Sequence, residues 1–498
     1  MDLLLINVPS ISLVYPPAAT SLLKGVAEKA GYTAMVRDYN LHLFSPIKDD
    51  IDLFTQVSNY FTIKSTQLNQ TAQDIIENFY DYCIQDILDV NPSFLGISVF
   101  TFECQRATEE LLIKLRPLYK GKVLIGGAGL STTGIAADSN DFGNKLKEAN
   151  LVDFFVRGEG EGPLLDILRD NTENVMGINN DEYEQLDELE SIPFPNYDDV
   201  IDLKYDYAVD QIQLPITTSR GCVRKCTFCD IHAFWKKYRY RSGENVAEEM
   251  IHHYNKYGVT NFFFTDSLIN GSKKSFEELS NTLLKYYKEN DLPDRFFTWG
   301  GQFIVRSEEK FPPYLFEIAS KSGLNGLAMG IESLSENVRE HMKKGFTNKD
   351  LDYTIEQLRK NNINCYFLII AGYPTETEED FNETLEMFTK YQGYAIDGTI
   401  FGVNLGGTLS IDSGTPLHIN SHNLDLDFEP QSVDGAQVIG LDWVNKKNPE
   451  LDLLTRCKRR VLLQELLMDL GYTVWNGDHQ LMRLKESYEE IMGNTVNN

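Results

Sequence analysis

Leu214-Pro215-Ile216-Thr217-Thr218-Ser219-Arg220-Gly221-Cys222-Val223-Arg224-Lys225-Cys226-Thr227-Phe228-Cys229 runs from an apolar, strand-like stretch through a glycine into a loop with three thiols. Thiols clustered at intervals of three and two intervening residues point to metal. Cys83, Cys104, Cys365 and Cys457 stand singly and read as buried thiols. Seven cysteines so spread over 498 residues are not the dense framework of a small disulfide-stapled domain. Cys222, Cys226 and Cys229 suit three corners of an iron-sulfur cubane, leaving the fourth iron without a protein ligand and open to chemistry. Zinc is the rival, because His232 stands where it would complete a Cys3His staple and make the segment a binding module. That staple predicts a small compact finger, whereas this loop follows a buried strand and precedes a long alternating series.

Downstream of the loop, strand-like runs at 214–218, 261–265, 295–299, 326–331, 365–370 and 395–403 alternate with helical patterns at 246–257, 276–288, 314–322, 351–361 and 380–390. Strand-helix units in tandem, joined by right-handed crossovers, curl a parallel sheet. The expectation for 208–403 is therefore a partial (β/α)6 TIM-like barrel, with its chemistry at the carboxyl ends of the strands. The cysteines come just after the first of these.

Upstream, residues 1–170 alternate apolar runs at 3–8, 33–36, 94–100, 122–125 and 152–156 with amphipathic stretches, the pattern of a parallel sheet covered on both faces. This predicts an α/β, doubly wound, Rossmann-like N-terminal domain. Gly126, Gly127 and Gly129, and Gly158, Gly160 and Gly162, fall at strand ends, where such sheets bind ligands or simply turn. Residues 171–207 are polar and acidic, with Pro193 and Pro195, and read as a linker. Residues 404–498 lose periodicity and read as a small C-terminal subdomain over the barrel mouth, with a helix near 453–470.

A net charge of -28, from 46 basic and 74 acidic residues, argues against extensive nucleic-acid binding. The exception is local: Arg220, Arg224, Lys225, Lys236, Lys237, Arg239 and Arg241 crowd the cysteines, as a solvated face or an anion site. The apolar start at Leu3 has no basic leader, and no apolar run approaches the eighteen residues of a membrane span. A cytoplasmic protein with no membrane contact is the expectation.

The cysteine spacing, with Phe228 before the last thiol and the loop after the first barrel strand, resembles the radical S-adenosylmethionine (SAM) superfamily. The likeness continues in Phe264-Thr265-Asp266-Ser267, Gly330-Ile331-Glu332-Ser333, Ile370-Ala371-Gly372-Tyr373-Pro374-Thr375-Glu376 and Gly414-Thr415-Pro416-Leu417. It implies a 4Fe-4S cluster on the three cysteines and reductive cleavage of SAM to a 5'-deoxyadenosyl radical. It also implies SAM contacts at Phe228, Thr265, Asp266, Ser267, Gln302, Arg306, Glu332 and Gly372. Taken singly, Glu332 also suits the N-terminal end of a helix, Arg306 a surface salt bridge, and Pro374 with Thr375 a helix cap.

The N-terminal domain, with Tyr15-Pro16-Pro17, Gly96-Ile97-Ser98, Ile125-Gly126-Gly127 and Arg157-Gly158-Glu159-Gly160-Glu161, resembles the cobalamin-binding domain of the cobalamin-dependent radical SAM class. Ser98, Gly126, Gly127, Gly158 and Glu159 would then line the cofactor. The loop 9–20 lacks the Asp-x-His-x-x-Gly that supplies a cobalt ligand in many cobalamin proteins. The class implies methyl transfer to an unactivated carbon of a small-molecule or peptide substrate, with an external flavodoxin- or ferredoxin-type electron donor. A rearranging, cyclising or epimerising enzyme with an empty cobalamin-like domain is the alternative.

Overall fold

Leu3–Asn7 (β1) is buried at every position, as expected of a strand covered on both faces. In the computed structural model, which describes residues 1–9, 11–62, 67–130, 141–206, 211–412, 414–427, 430–433, 436–439 and 443–476, the chain forms two compact units. The first is essentially residues 1–215. Its sheet comprises β1, Ala34–Asp38 (β2), Phe94–Ser98 (β3), Lys122–Gly126 (β4) and Phe154–Val156 (β5), in the order β2-β1-β3-β4-β5 and parallel throughout. In this doubly wound order the direction in which strands are added reverses between β1 and β3, and the crevice beyond their carboxyl ends is where such sheets bind ligands. The expected Rossmann-like domain is therefore present.

Residues 171–206, expected as a linker, are fastened to the first unit. Lys24 pairs with Asp199 at 2.6 Å, Tyr205 donates to Asp38 at 2.8 Å, and the Leu186 N–H donates to Glu159 at 2.6 Å. Polar composition here reflects hydrogen-bonded irregular backbone, because a strap without secondary structure satisfies its amides with side chains.

The second sheet, which apart from residues 213–215 lies in the second unit (mainly residues 216–476), comprises Gln213–Ile216 (β6), Asn261–Phe264 (β7), Thr298–Phe303 (β8), Leu327–Glu332 (β9), Cys365–Ala371 (β10), Ile400–Thr408 (β11) and Thr473–Asn476 (β12). These lie side by side in chain order, parallel from β7 to β12. Seven strands in sequence form the open barrel that the alternation predicted, one strand longer than expected. Helices between them start at side-chain caps: Thr347 with Asp350, and Thr377 with Asp380, form reciprocal capping boxes.

Two strands are displaced from their expected positions. The third was placed at 295–299 but runs Thr298–Phe303, through Gly300 and Gly301. Glycine weakens strand propensity, yet a Cβ at Gly300 would stand 2.0 Å from the Asn325 carbonyl oxygen, so the neighbouring backbone requires it. The sixth was placed at 395–403 but runs Ile400–Thr408, because Gln392–Ile396 closes a helix. The expected C-terminal subdomain also contributes to the sheet: helix Leu453–Asp469 returns the chain to lay down β12 beside β11.

One face of the second sheet packs on helices. Trp299 and Phe303 meet Phe276 with ring centres 5.6 and 6.4 Å apart. By the period-two alternation of strands, Gln302 and its register partner Ala328 lie on the other, inner face, which Gly330 and Glu332 continue along β9. Among the described residues no helix is long and apolar enough to cross a membrane.

Candidate active site

The cysteine loop is closed at its base before it carries any thiol. Ser219 pairs with Tyr240 and Arg220 with Arg239 in a short antiparallel ladder. Gly221 then turns with φ +89°, and a Cβ there would stand 2.6 Å from the Lys237 carbonyl oxygen. Below the ladder, the buried Asp266 carboxylate accepts from the Thr218 N–H and hydroxyl, both at 3.0 Å, and from the Ser219 N–H. Burial pushes this acid up to about 6, against the pull of those hydrogen bonds. Asp266, expected as a SAM contact, thus spends its oxygens on the loop's entry. Thr265 faces Thr217, their hydroxyls 2.9 Å apart, and Ser267 follows at the same strand end.

Within the loop, the Thr227 N–H donates to the Met342 carbonyl at 3.1 Å, and its hydroxyl meets the Tyr373 hydroxyl at 2.8 Å. The Leu417 N–H donates to the Thr227 carbonyl at 2.7 Å, bringing the Gly414-Thr415-Pro416-Leu417 segment against the loop. Phe228 packs on the cluster of Val338, Met342, Tyr373, Leu409, Ile411 and Leu417. Arg224 donates to the carbonyls of Gly345 at 2.9 Å and Val305 at 3.3 Å.

The thiols are free, Cys226 buried and Cys222 and Cys229 half-buried, with the Arg224 N–H 3.4 Å from the Cys222 sulfur. Burial pushes the Cys229 thiol up to about 12, with smaller contributions from Asp230 and the other two sulfurs. Burial also raises Cys226, opposed by the Lys344 ammonium. Thiols raised in this way, Cys226 and Cys229, stay neutral unless cations bind and displace the protons.

Among the described residues no three His, Cys, Asp or Glu side chains converge on one ion. A cubane asks for something else, one thiolate on each of three irons. His232, the remaining ligand of the zinc reading, has its ring nitrogen against the Arg224 carbonyl oxygen. The donor set therefore fits a cluster better than a single ion.

The other expected SAM residues are distributed as follows. Gln302 is exposed on the inner face of β8. Arg306 is no surface salt bridge: its Nε and Nη2 donate to the Asn270 carbonyl at 3.2 and 3.0 Å, and Nη2 also reaches Gly271 at 3.0 Å. Glu332 ends β9 with φ +66°, before the cap Ser335 of the next helix, so it is not an N-terminal helix acid. Its carboxylate accepts from Lys344 at 3.2 Å. Gly372, φ +78°, follows β10; a Cβ there would stand 2.5 Å from Arg456 Cγ, so it underlies that buried arginine.

Lys344 and the hydroxyls of Thr227 and Tyr373 had no role in the sequence reading. The signal for Lys344 was Lys343-Lys344-Gly345 at a helix end, where glycine marks a reversal. The basic cluster also changes meaning: Arg241 is buried with Glu249 and donates to the Thr217 carbonyl at 3.0 Å, and Arg220 and Arg239 lie against Trp235. Lys225, Lys236 and Lys237 are the exposed members.

In the first unit, Ser98 and Gly126 end β3 and β4 as register partners. Gly127, φ +124°, approaches the Val99 carbonyl so closely that a Cβ would stand 2.4 Å away. Gly158, φ +78°, is covered by Tyr183, and Glu159 is buried on the Leu186 N–H. Asn7, at the end of β1, donates to Thr20 at 2.9 Å.

Residues 216–388 match the model of the Radical SAM superfamily. The chain is 24% identical over 395 residues to an anaerobic magnesium-protoporphyrin IX monomethyl ester cyclase of Cereibacter sphaeroides, covering 76% of this chain and 57% of that one. It is 28% identical over 262 residues to an uncharacterized methyltransferase of Pyrococcus horikoshii, covering 49% and 54%. The chain thus spans little more than half the length of these curated relatives. Among solved structures it is similar in fold to the radical SAM methyltransferase TsrM of Kitasatospora setae with cobalamin and a [4Fe-4S] cluster bound, with TM-score 0.59, 17% identity, and coverage of 88% and 79%.

Proposed function

Residues 216–388 are a radical SAM domain, and from that premise we propose that the chain is a cobalamin-dependent methyltransferase acting on an unactivated carbon. Cys222, Cys226 and Cys229 hold the cluster, and Thr265, Ser267, Gln302, Glu332 and Gly372 face or border SAM. When bound, cluster and SAM supply reductive radical generation, and cobalamin supplies methyl transfer. The observation that carries the reading is the loop itself: three cysteines held by a base ladder, by Asp266 and by the contacts of Thr227 and Arg224.

The chain's own residues do the positioning. Asp266 fixes where the loop leaves the sheet, and Tyr373 ties its middle to β10. Phe228 and the apolar cluster around it exclude water from one side of the sulfurs, so charges there interact through a medium of low polarity. In the first unit, the β1/β3 crevice supports a large ligand lying on backbone, lined by Ser98, Gly126 and Gly127. Loop 9–20 contains no histidine, so cobalt receives no histidine ligand from it.

The substrate is a small molecule or peptide, and a flavodoxin- or ferredoxin-type protein delivers the electron. Ring closure is the second reading, favoured by the Cereibacter relative's name as a cyclase. Anaerobic reconstitution followed by iron, cobalt and deoxyadenosine assays tests the proposal. Stoichiometric iron and cobalt with deoxyadenosine formation support methyl transfer; iron and deoxyadenosine without cobalt support the second reading. Deoxyadenosine formed at the normal rate by Cys226→Ala would remove the cluster assignment.

A further inference from the structure

Lys344 reaches the cysteine loop by an indirect route. Helix Glu336–His341 ends in the turn Met342-Lys343-Lys344-Gly345, where Lys343 (φ +58°) and Gly345 (φ +66°) both adopt left-handed backbone. A non-glycine residue in that region costs about 1 kcal/mol or more and persists where surrounding bonds dictate it. The bonds are present on both sides: the Thr227 N–H donates to Met342, and Arg224 to Gly345. The turn is therefore stitched to the cysteine loop before and after Lys344.

So placed, the Lys344 side chain is 9% exposed. Its ammonium lies 3.2 Å from Glu332 Oε1 and 5.8 Å from the centre of the Phe228 ring. Glu332 is itself left-handed at φ +66°, and a Cβ on Gly330 would stand 2.8 Å from its Oε1 and 3.3 Å from the lysine nitrogen. Left-handed backbone at Glu332 and on either side of Lys344, with a side-chain-free position beneath the pair, converges on one largely buried ion pair at the turn stitched to the cysteine loop.

We propose that Lys344 is a positioning residue for the cluster and SAM site: it engages one oxygen of Glu332, leaves the other for the ligand, and offsets the carboxylate's charge at the cysteine loop. This rests on the radical SAM reading above. Without Lys344, Glu332 is an uncompensated anion near the cluster, which opposes the addition of an electron and loosens the carboxylate's aim.

The test uses the reconstituted full-length chain, with iron content, cluster midpoint potential by EPR-monitored titration, and SAM binding by isotherm. Lys344→Met should keep its iron, lower the midpoint potential, and bind SAM about tenfold more weakly, the scale of one lost charge-assisted hydrogen bond. Glu332→Gln should raise the potential, and the double variant should return it toward wild type. Lys344→Arg should retain the wild-type potential. If Lys344→Met loads no cluster, the Glu332→Gln shift decides. Unchanged potentials in loaded Lys344→Met and Glu332→Gln, or in Glu332→Gln alone when Lys344→Met does not load, would overturn the proposal. A wild-type chain that binds no iron would instead overturn the cluster reading.

Discussion

The hydroxyls of Thr227, between Cys226 and Cys229, and Tyr373, just past strand β10, stand 2.8 Å apart. They join segments 146 residues apart in sequence, and both are also near the His341 carbonyl, at 3.5 and 3.4 Å. The loop's conformation is thereby tied to the sheet's fifth barrel strand.

Removing either hydroxyl removes the same bond. Tyr373→Phe and Thr227→Val should each cost about 1 kcal/mol, and the double variant little more than one of them. Urea unfolding of the four proteins checks this. Fully additive costs would show that the hydroxyls act separately. The single variants should also lose iron to a chelator faster than wild type.

Gly221 and Gly258 separate crowding from backbone strain. Both have positive φ, +89° and +71°, but an added Cβ meets the Lys237 carbonyl oxygen at 2.6 Å at Gly221 and nothing within 4 Å at Gly258. Gly258→Ala should cost about 1 kcal/mol. Gly221→Ala should cost more, about 3 kcal/mol, and should also reduce iron bound on reconstitution. Equal stability loss in the two variants would show that the Lys237 contact yields freely.

At position 332 the backbone and the side chain pull in opposite directions. Glu332→Gly and Glu332→Ala both delete the partner of Lys344, but only alanine keeps a Cβ at φ +66°. The glycine variant should therefore be the more stable by about 1 kcal/mol, with SAM binding weakened in both. Denaturation midpoints and binding isotherms measure the two effects independently.

Asp266 gives stability a pH dependence. Burial raises its folded value from the ordinary 3.8 to about 6, so the folded chain holds that proton more tightly than the unfolded chain. Its contribution is complete below about pH 3.8 and is lost as pH rises through about 6, a total of about 3 kcal/mol. Asp266→Asn lacks this titration. The stability of Asp266→Asn relative to wild type should accordingly rise between pH 4 and about pH 7.5; parallel profiles in urea would refute the assignment.

Apolar runs alternating with helices revealed both sheets, because strands covered on two faces need uninterrupted hydrophobic side chains. The cysteine spacing marked the loop for the same local reason. What stayed hidden depends on distant backbone. Gly300 and Gly301 read as a strand break until Asn325 and Phe264 are seen against them. Strand β12 is short and follows a weakly periodic stretch. Asp266 looked like a ligand contact because its strand-end position is visible in sequence, while its hydrogen bonds to Thr218 and Ser219 are not. Lys343-Lys344-Gly345 marks a turn in sequence, but its place at the cysteine loop shows only in the bonds from Thr227 and Arg224 to a turn more than a hundred residues away.

The ladder of Ser219–Arg220 with Arg239–Tyr240 brings the ends of the cysteine loop together. In engineering terms, residues 219–240 are a cassette: the segment enters and leaves the scaffold at one point, so exchanging it leaves the strand order of the host sheet intact. Its retaining surface is not in the cassette, since Tyr373, Met342 and Gly345 belong to the host. A transplanted loop would arrive with its hinge and without its latch. Successful grafts will be those that also carry the turn at 342–345 and a hydroxyl at 373.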